Sequence, residues 1–386
     1  MLDLNRLQQQ FSSFNAYQSR EQQLAAERLA RACDAFAECH GDWEALRDRA
    51  ATERTGWLVP GLREAPGAVY ACAPRPTPVT VVATDGSQVY PDRHVEPTCY
   101  LLNVSRIAFQ YGTLERPLME SVPDFRYRRE DLEDLLGDAI ETATADVVSA
   151  LRDEQELEAL LATALESRIA ARPIVAVADG TLIRWMLSGM RNRALEERLI
   201  ARYIEILEGF RAERIPVCSY ISMPGNTEVV NLVRLHLGEH RTAPPPEASL
   251  AGMPDRWLFE RTLGPGERSA VFESASHIQK AYGAEDRICY FYVSLPARGA
   301  AEIGRVEVPQ WVADDPALLD LVHAVILSEC EKGDGYPMIL AEAHERAVIR
   351  AHEKALFYEL VERQMEGAGL RHAGSRKQAS KRRPTV

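Results

Sequence analysis

The chain has 386 residues, 26% of them charged, with a formal net charge of -12. That length suits one large domain or two smaller ones. The acidic balance excludes a protein that coats nucleic acid through Lys and Arg, yet leaves room for an enzyme that grips a few phosphates through metal ions. No apolar run approaches the roughly 20 residues that span a bilayer. The opening Met1-Leu2-Asp3-Leu4-Asn5-Arg6 lacks the order of a signal peptide, so a cytoplasmic protein with no membrane partner is expected. Seven cysteines form no C-x-x-C pair, so no zinc ribbon or disulfide framework is indicated.

Residues 1 to about 66 are expected to be helical, with Leu29, Cys33 and Phe36 at helical spacing among Glu, Gln, Arg and Ala. A narrow apolar stripe on such a polar helix suits packing against a partner, so 1–66 is expected to serve assembly, the plainer reading being that it packs on the chain's own core. The Pro-rich stretch 72–78 marks a linker. Val79–Thr84 is a β-branched run that stops at Asp85-Gly86-Ser87. A run from Cys99 to Phe109 and a third near Leu118 predict an antiparallel meander. Then come a helix from about Arg129 to Ala170, a strand Ile174–Ala178 stopping at Asp179-Gly180, a helix from about Arg184 to Ala212, and a strand Ile215–Ile221.

Three strands, helix, strand, helix, strand is the order of a ribonuclease-H-like α/β mixed sheet. Beyond it, Pro- and Gly-rich residues 243–283 are expected to form an irregular insertion, followed by strands at Ile288–Val293 and Gly304–Val312 and a long C-terminal helix Pro337–Glu366. Residues 67–366 would form the catalytic domain. The remainder, 367–386, carries Arg371, Arg376, Lys377, Lys381, Arg382 and Arg383 without an acid, and is expected to be a basic disordered tail or an arm that touches DNA or a partner.

The most informative feature is an echo: Ala83-Thr84-Asp85-Gly86-Ser87 and Val177-Ala178-Asp179-Gly180-Thr181 each end an apolar strand in Asp, Gly and a hydroxyl residue. In a ribonuclease-H-like sheet those two strands are parallel neighbours about 4.8 Å apart. Their carboxyl ends then place two acids side by side, where open α/β sheets hold ligands. Two carboxylates so close repel unless a cation sits between them. The plainer reading is a turn after each strand. A phosphatase of the D-x-D-G-T type is excluded, because Val177 and Ala83 stand where its nucleophile would be. Near the C-terminus Tyr336-Pro337 opens a helix that carries His344. His344 shares a face with Leu340, Val348 and Ala351 and is expected to point into the protein body, as a ligand or as a core histidine.

These landmarks, with Tyr220-Ile221-Ser222 closing the fifth strand and Tyr-Pro-x-x-Leu-x-x-Ala-His near the C-terminus, resemble the NurA nuclease family in order and spacing from about 79 to 366. The resemblance implies a ribonuclease-H-like fold, manganese-dependent cleavage of DNA, a homodimer and partnership with the hexameric HerA translocase. It implies a 5′–3′ exonuclease and single-strand endonuclease that resects DNA ends in double-strand-break repair. By that resemblance Asp85, Asp179 and His344 are ligands of one or two Mn²⁺ or Mg²⁺ ions and Tyr336 is a site residue, with Ser87, Thr181 and Tyr220 in support. The family also places a Glu on the long helix before the fourth strand. Glu154, Glu156, Glu158 and Glu166 compete for it, and Glu156, four residues after Arg152, is the nearest match. Thr181 departs mildly from the family's usual Ser. Hard oxygen donors with one imidazole suit Mn²⁺ or Mg²⁺. The absence of a G-x-x-x-x-G-K-[ST] loop means a separate motor would have to feed the strands. The competing readings are a non-catalytic adaptor of a DNA motor, and a nuclease acting on RNA or branched DNA.

Overall fold

The structure is a computed structural model that describes residues 4–91, 95–96, 98–136, 141–295, 302–370 and 373–374. Helices α1 (Leu4–Cys39) and α2 (Trp43–Thr52) come first, then β1 (Val79–Val89), β2 (Tyr100–Tyr111) and β3 (Leu118–Arg126). Next are α3 (Arg129–Leu136), α4 (Glu141–Glu166), β4 (Ile174–Asp179), α5 (Arg193–Ala212) and β5 (Val217–Ser222). Helices α6 (Glu228–His236) and α7 (Asp255–Thr262) precede β6 (Ile288–Leu295) and β7 (Glu302–Pro309). Helices α8 (Pro316–Lys332), α9 (Met338–Ala347) and α10 (Ala351–Gly367) follow. Among the described residues no helix is long and apolar enough to cross a membrane.

The chain divides into two compact units, Met1–Cys72 with Ile221–Gln279 and Arg287–Glu307, and Ala73–Tyr220 with Lys280–Asp286 and Val308–Val386. The second unit holds a sheet in the order β5-β4-β1-β2-β3. Its β1-β2-β3 meander is antiparallel, and β1, β4 and β5 run parallel. Val81, Val82 and Ala83 of β1 and Val175, Ala176 and Val177 of β4 are fully buried. Such unbroken apolar runs are what a strand covered on both faces requires. Successive side chains of β1 point to opposite faces. Thr84 Oγ1 donates to the Glu156 carbonyl of α4 at 2.9 Å, and Ser87 Oγ donates to the Ala347 carbonyl of α9. Helices α4 and α9 therefore lie against opposite faces of β1.

Several boundaries differ from the expectation. Strand β1 continues through Asp85-Gly86-Ser87 to Val89, because β2 runs beside it and supplies ladder partners, Asp85 opposite Ser105 and Gly86 opposite Val104. Only the second Asp-Gly ends its strand, where Gly180 takes φ +76°. Helix α5 begins at Arg193, capped by the Asn192 side chain accepting from Leu195 N–H at 3.1 Å. Ahead of it Trp185–Leu187 makes one 3-10 turn. The C-terminal helix is broken at Val348–Arg350, where Arg350 N–H donates to Glu353 at 2.7 Å and starts a new helix. The stretch from Arg129 is two helices, with 137–140 outside the described residues. Residues 243–283 carry α7 and the two-residue strands Arg268–Ser269 and Phe272–Glu273. The basic run from 371 lies outside the described residues except for Ala373–Gly374.

In the first unit, Ala32, Phe36 and Cys39 of α1 and Leu46 of α2 share a core with Val229, Leu232 and Val233 of α6 and Phe259 of α7. Leu29 and Cys33 pack against it. The N-terminal part of α1 is different: Leu4, Phe11, Phe14 and Tyr17 are exposed. A buried polar group crosses this unit. Arg305 of β7 donates to Glu307 at 2.9 Å and to Glu228 at 3.0 Å, and lies 3.6 Å over the Tyr290 ring. Beside it Tyr292 donates to Asp255 at 2.7 Å. Asp255 also accepts the Val229 and Val230 N–H groups at the start of α6.

Candidate functional site

All residues of the site belong to the second unit. Ala83 of β1 is paired with Val177 of β4. Two residues further along each strand stand Asp85 and Asp179, so the parallel register sets the two acids on adjacent strands, Asp85 within β1 and Asp179 at the end of β4. Asp85 Oδ1 accepts its own Gly86 N–H at 2.8 Å, and its Oδ2 lies 2.9 Å from His344 Nδ1. Asp179 Oδ1 accepts Gly180 N–H at 3.0 Å and the Tyr336 hydroxyl at 2.9 Å.

Of the four competing glutamates, three are engaged elsewhere. Glu154 lies 3.8 Å from Arg198, Glu158 pairs with Arg202, and Glu166 pairs with Arg106. Glu156 alone comes to the strand: a Cβ on Gly86 would stand 2.5 Å from Glu156 Oε1 and 2.9 Å from Arg152 Cγ. Gly86 is therefore the opening through which Glu156 reaches β1. Glu156 Oε1 is buried beside Arg152 Nε at 2.9 Å and has no aligned hydrogen-bond donor among the described residues. Burial pushes its carboxyl up to about 8; Arg152 pulls the other way, and the Asp153 and Asp85 charges add to the rise.

Tyr336 is placed by the α8–α9 loop. A Cβ on Gly333 would fall 1.9 Å from the Tyr336 carbonyl, so only glycine fits there, and Gly335 takes φ +107°. Buried Glu329 accepts the Ile339 N–H at 3.1 Å and ties α9 to the end of α8. Burial and then the Asp179 charge raise the Tyr336 phenol above its ordinary range. Tyr220, opposite Asp179 in register, packs edge-on against the Tyr336 ring at 5.7 Å.

His344 corrects an expectation. Helix α9 ends at Ala347, so Val348 and Ala351 do not extend its face. The side chain is 64% exposed and turns to Asp85 rather than into the core. Ser87 and Thr181 serve backbone: Ser87 holds Ala347, and Thr181 Oγ1 accepts Ile183 N–H at 3.0 Å. Reading from sequence missed Asn103, whose amide donates to the same Ala347 carbonyl at 2.8 Å, and the Arg152–Asp153–Arg184 chain of ion pairs beside Glu156. A polar residue inside the apolar run of β2 was the available signal for Asn103. Among the described residues no group of three or more His, Cys, Asp or Glu side chains stands placed to hold a metal ion. The acids are engaged pairwise, Asp85 with His344, Asp179 with Tyr336 and Glu156 with Arg152.

Antiparallel β1-β2-β3, parallel β4 and β5, and acids on the paired strands β1 and β4 define a ribonuclease-H-like core. The family model of the NurA domain matches residues 79–349, well over half of the chain. The chain belongs to the NurA family and is a nuclease-type protein. Among solved structures it is similar to NurA with manganese, at 13% identity over 74% of this chain and 90% of that one, TM-score 0.35. It is similar to NurA bound to dAMP and manganese at 14% identity over 72% and 87%, TM-score 0.35. A type 1 RNase H is similar at 14% identity over 44% and 74%, TM-score 0.20. A search of curated protein sequences finds no match.

Proposed function

We propose that the chain is a metal-dependent deoxyribonuclease, cleaving single strands internally and resecting ends 5′–3′ together with a HerA-type hexameric ATPase in double-strand-break repair. The observation that carries this reading is that Asp85 and Asp179 stand on the paired strands β1 and β4, Asp85 against His344 and Asp179 against Tyr336, with Glu156 reaching β1 at Gly86. In donor type the residues suit a hard divalent ion, three carboxylates and one imidazole, though here they are engaged pairwise rather than gathered on one point. Asp85, Asp179, Glu156 and His344 would hold Mn²⁺ or Mg²⁺. Such ions supply Lewis acidity and a water of lowered pKa. Tyr336 donates to Asp179 and fixes which carboxylate oxygen stays free. Arg152, beside Glu156, offsets charge where a phosphodiester would approach. Ser87 and Asn103 hold the end of α9 and with it His344.

DNA as substrate and manganese as metal rest on the family and on its relative bound to dAMP and manganese. A homodimer and a cytoplasmic location complete the proposal. The sequence offers no phosphate-binding loop of its own, in keeping with a separate motor. Asp85→Ala and Asp179→Ala should each lower Mn²⁺-dependent cleavage of single-stranded DNA by more than the roughly 10- to 100-fold of outer-shell groups. Near-normal cleavage by either variant sinks the reading. Parallel digests of RNA and of a four-way junction test the substrate class.

A further inference from the structure

The segment that leaves the site is locally basic in an acidic chain. From Gly180 to Leu195 it contains Arg184, Arg191 and Arg193 and no acid. It also carries Trp185, six residues after Asp179, which is 64% exposed. The other four tryptophans are all at least partly buried. Met186 beside it is exposed as well.

The backbone under Trp185 is pinned. Leu182, Ile183 and Leu187 are buried. Thr181 Oγ1 accepts Ile183 N–H at 3.0 Å, Tyr203 donates to the Leu182 carbonyl, and Arg184 N–H donates to the Tyr282 hydroxyl at 3.1 Å. The Arg184 guanidinium is held inward, 5.4 Å over the Tyr203 ring and 3.7 Å from Asp153. Trp185 thus projects a large ring from a fixed turn, while Arg191 and Arg193 on the same segment are exposed, Arg193 paired with Glu196 at 2.9 Å. Core packing does not use this ring, and the same segment offers the exposed cation Arg191. An aromatic face amid cationic groups is how proteins hold unpaired nucleobases without reading their sequence.

We propose that Trp185 is a stacking platform for one base of an unpaired DNA strand, holding that strand beside Asp179. The proposal rests on the nuclease reading for its ligand class, but binding tests it separately. Intrinsic fluorescence is titrated with an oligothymidylate 12-mer and with an abasic 12-mer, in EDTA so that no cleavage intervenes. Wild type should be quenched by oligothymidylate and bind the abasic strand more weakly. Trp185→Ala should weaken oligothymidylate binding about 5- to 100-fold and erase the difference between the strands, and Trp185→Phe should restore most of both. A wild type that treats both strands alike overturns the platform, and so does a Trp185→Ala variant that binds as wild type. A Trp185 signal that responds to protein dilution alone, with no difference between strands, assigns the ring to a subunit contact and also overturns it. Quenching without any Mn²⁺-dependent hydrolysis would keep the platform and sink the nuclease. Hydrolysis without discrimination would do the reverse.

Discussion

Two charged clusters, one in each unit, use the same residue types to opposite ends. In the first unit Arg305, Glu228, Glu307 and Asp255 are buried, and arginine, tyrosine or backbone N–H groups meet their carboxylates. In the second unit Asp179 and His344 are exposed, and Asp85 and Glu156 are half-buried. A buried charge is tolerable only when paired and hydrogen-bonded, so the first cluster is committed to packing. The second keeps its groups within reach of an incoming ligand. Composition alone cannot tell them apart; exposure and donor supply do.

The sharpest way to break the contrast is Arg305→Ala. It strands Glu228 and Glu307 in the core and should cost about 3–5 kcal/mol, read as a lower midpoint in chemical denaturation. Asp85→Ala, by contrast, should change stability by less than about 1 kcal/mol. Equal losses would erase the distinction.

Protonation offers the next test. Burial pushes the Asp255 carboxyl up to about 7. A folded value above the unfolded one means the neutral form is favoured by folding. That contribution is complete below about pH 4 and is lost as pH rises toward 7. Relative to Asp255→Asn, the wild type should lose up to about 4 kcal/mol across this window. Parallel stability curves for the two proteins would refute it.

A subtler probe acts at the site itself. Gly86→Ala places a methyl group against Glu156 and should reduce metal-dependent cleavage about 10- to 100-fold. Its melting temperature should fall less than that of Arg305→Ala. Unchanged activity would show that Glu156 need not approach β1.

The smallest effect is expected at the N-terminus. Deleting residues 1–20 removes exposed Leu4, Phe11, Phe14 and Tyr17 and spares the buried part of α1. Cleavage of short single strands should persist within about twofold, since Leu4, Phe11, Phe14 and Tyr17 are exposed. Light scattering should show a shift from dimer toward monomer, or stimulation by the motor should weaken. A deletion that keeps both would end the assembly role for this segment.

The two Asp-Gly motifs were legible because repeated short motifs are local signals, though only the second ends its strand. The order of the sheet was legible for the same reason. What escaped was set by distant neighbours. Strand β1 passes through Asp85-Gly86 because β2, some 20 residues on, lies alongside. His344 turns outward because α9 stops at Ala347, where Ser87 and Asn103 hold the carbonyl. The choice among four glutamates was decided by a missing Cβ on another element. Nor does sequence reveal that α1, α6 and α7 share one core, since their contacts span some 200 residues.

Strand β1 presents Asp85 to the His344 side and Gly86 to the Glu156 side, one residue apart. Because side chains alternate strictly, gaining or losing a single residue within the β1–β2 pair would exchange those two faces. The acid would be thrust at Glu156, and the glycine would face the histidine. The apolar part of the strand could absorb such a slip, since Val81, Val82 and Ala83 are all buried, but the chemistry could not. Substitutions along this strand can be graded, whereas insertions and deletions act as a parity error, and lineages that keep the activity must keep the count.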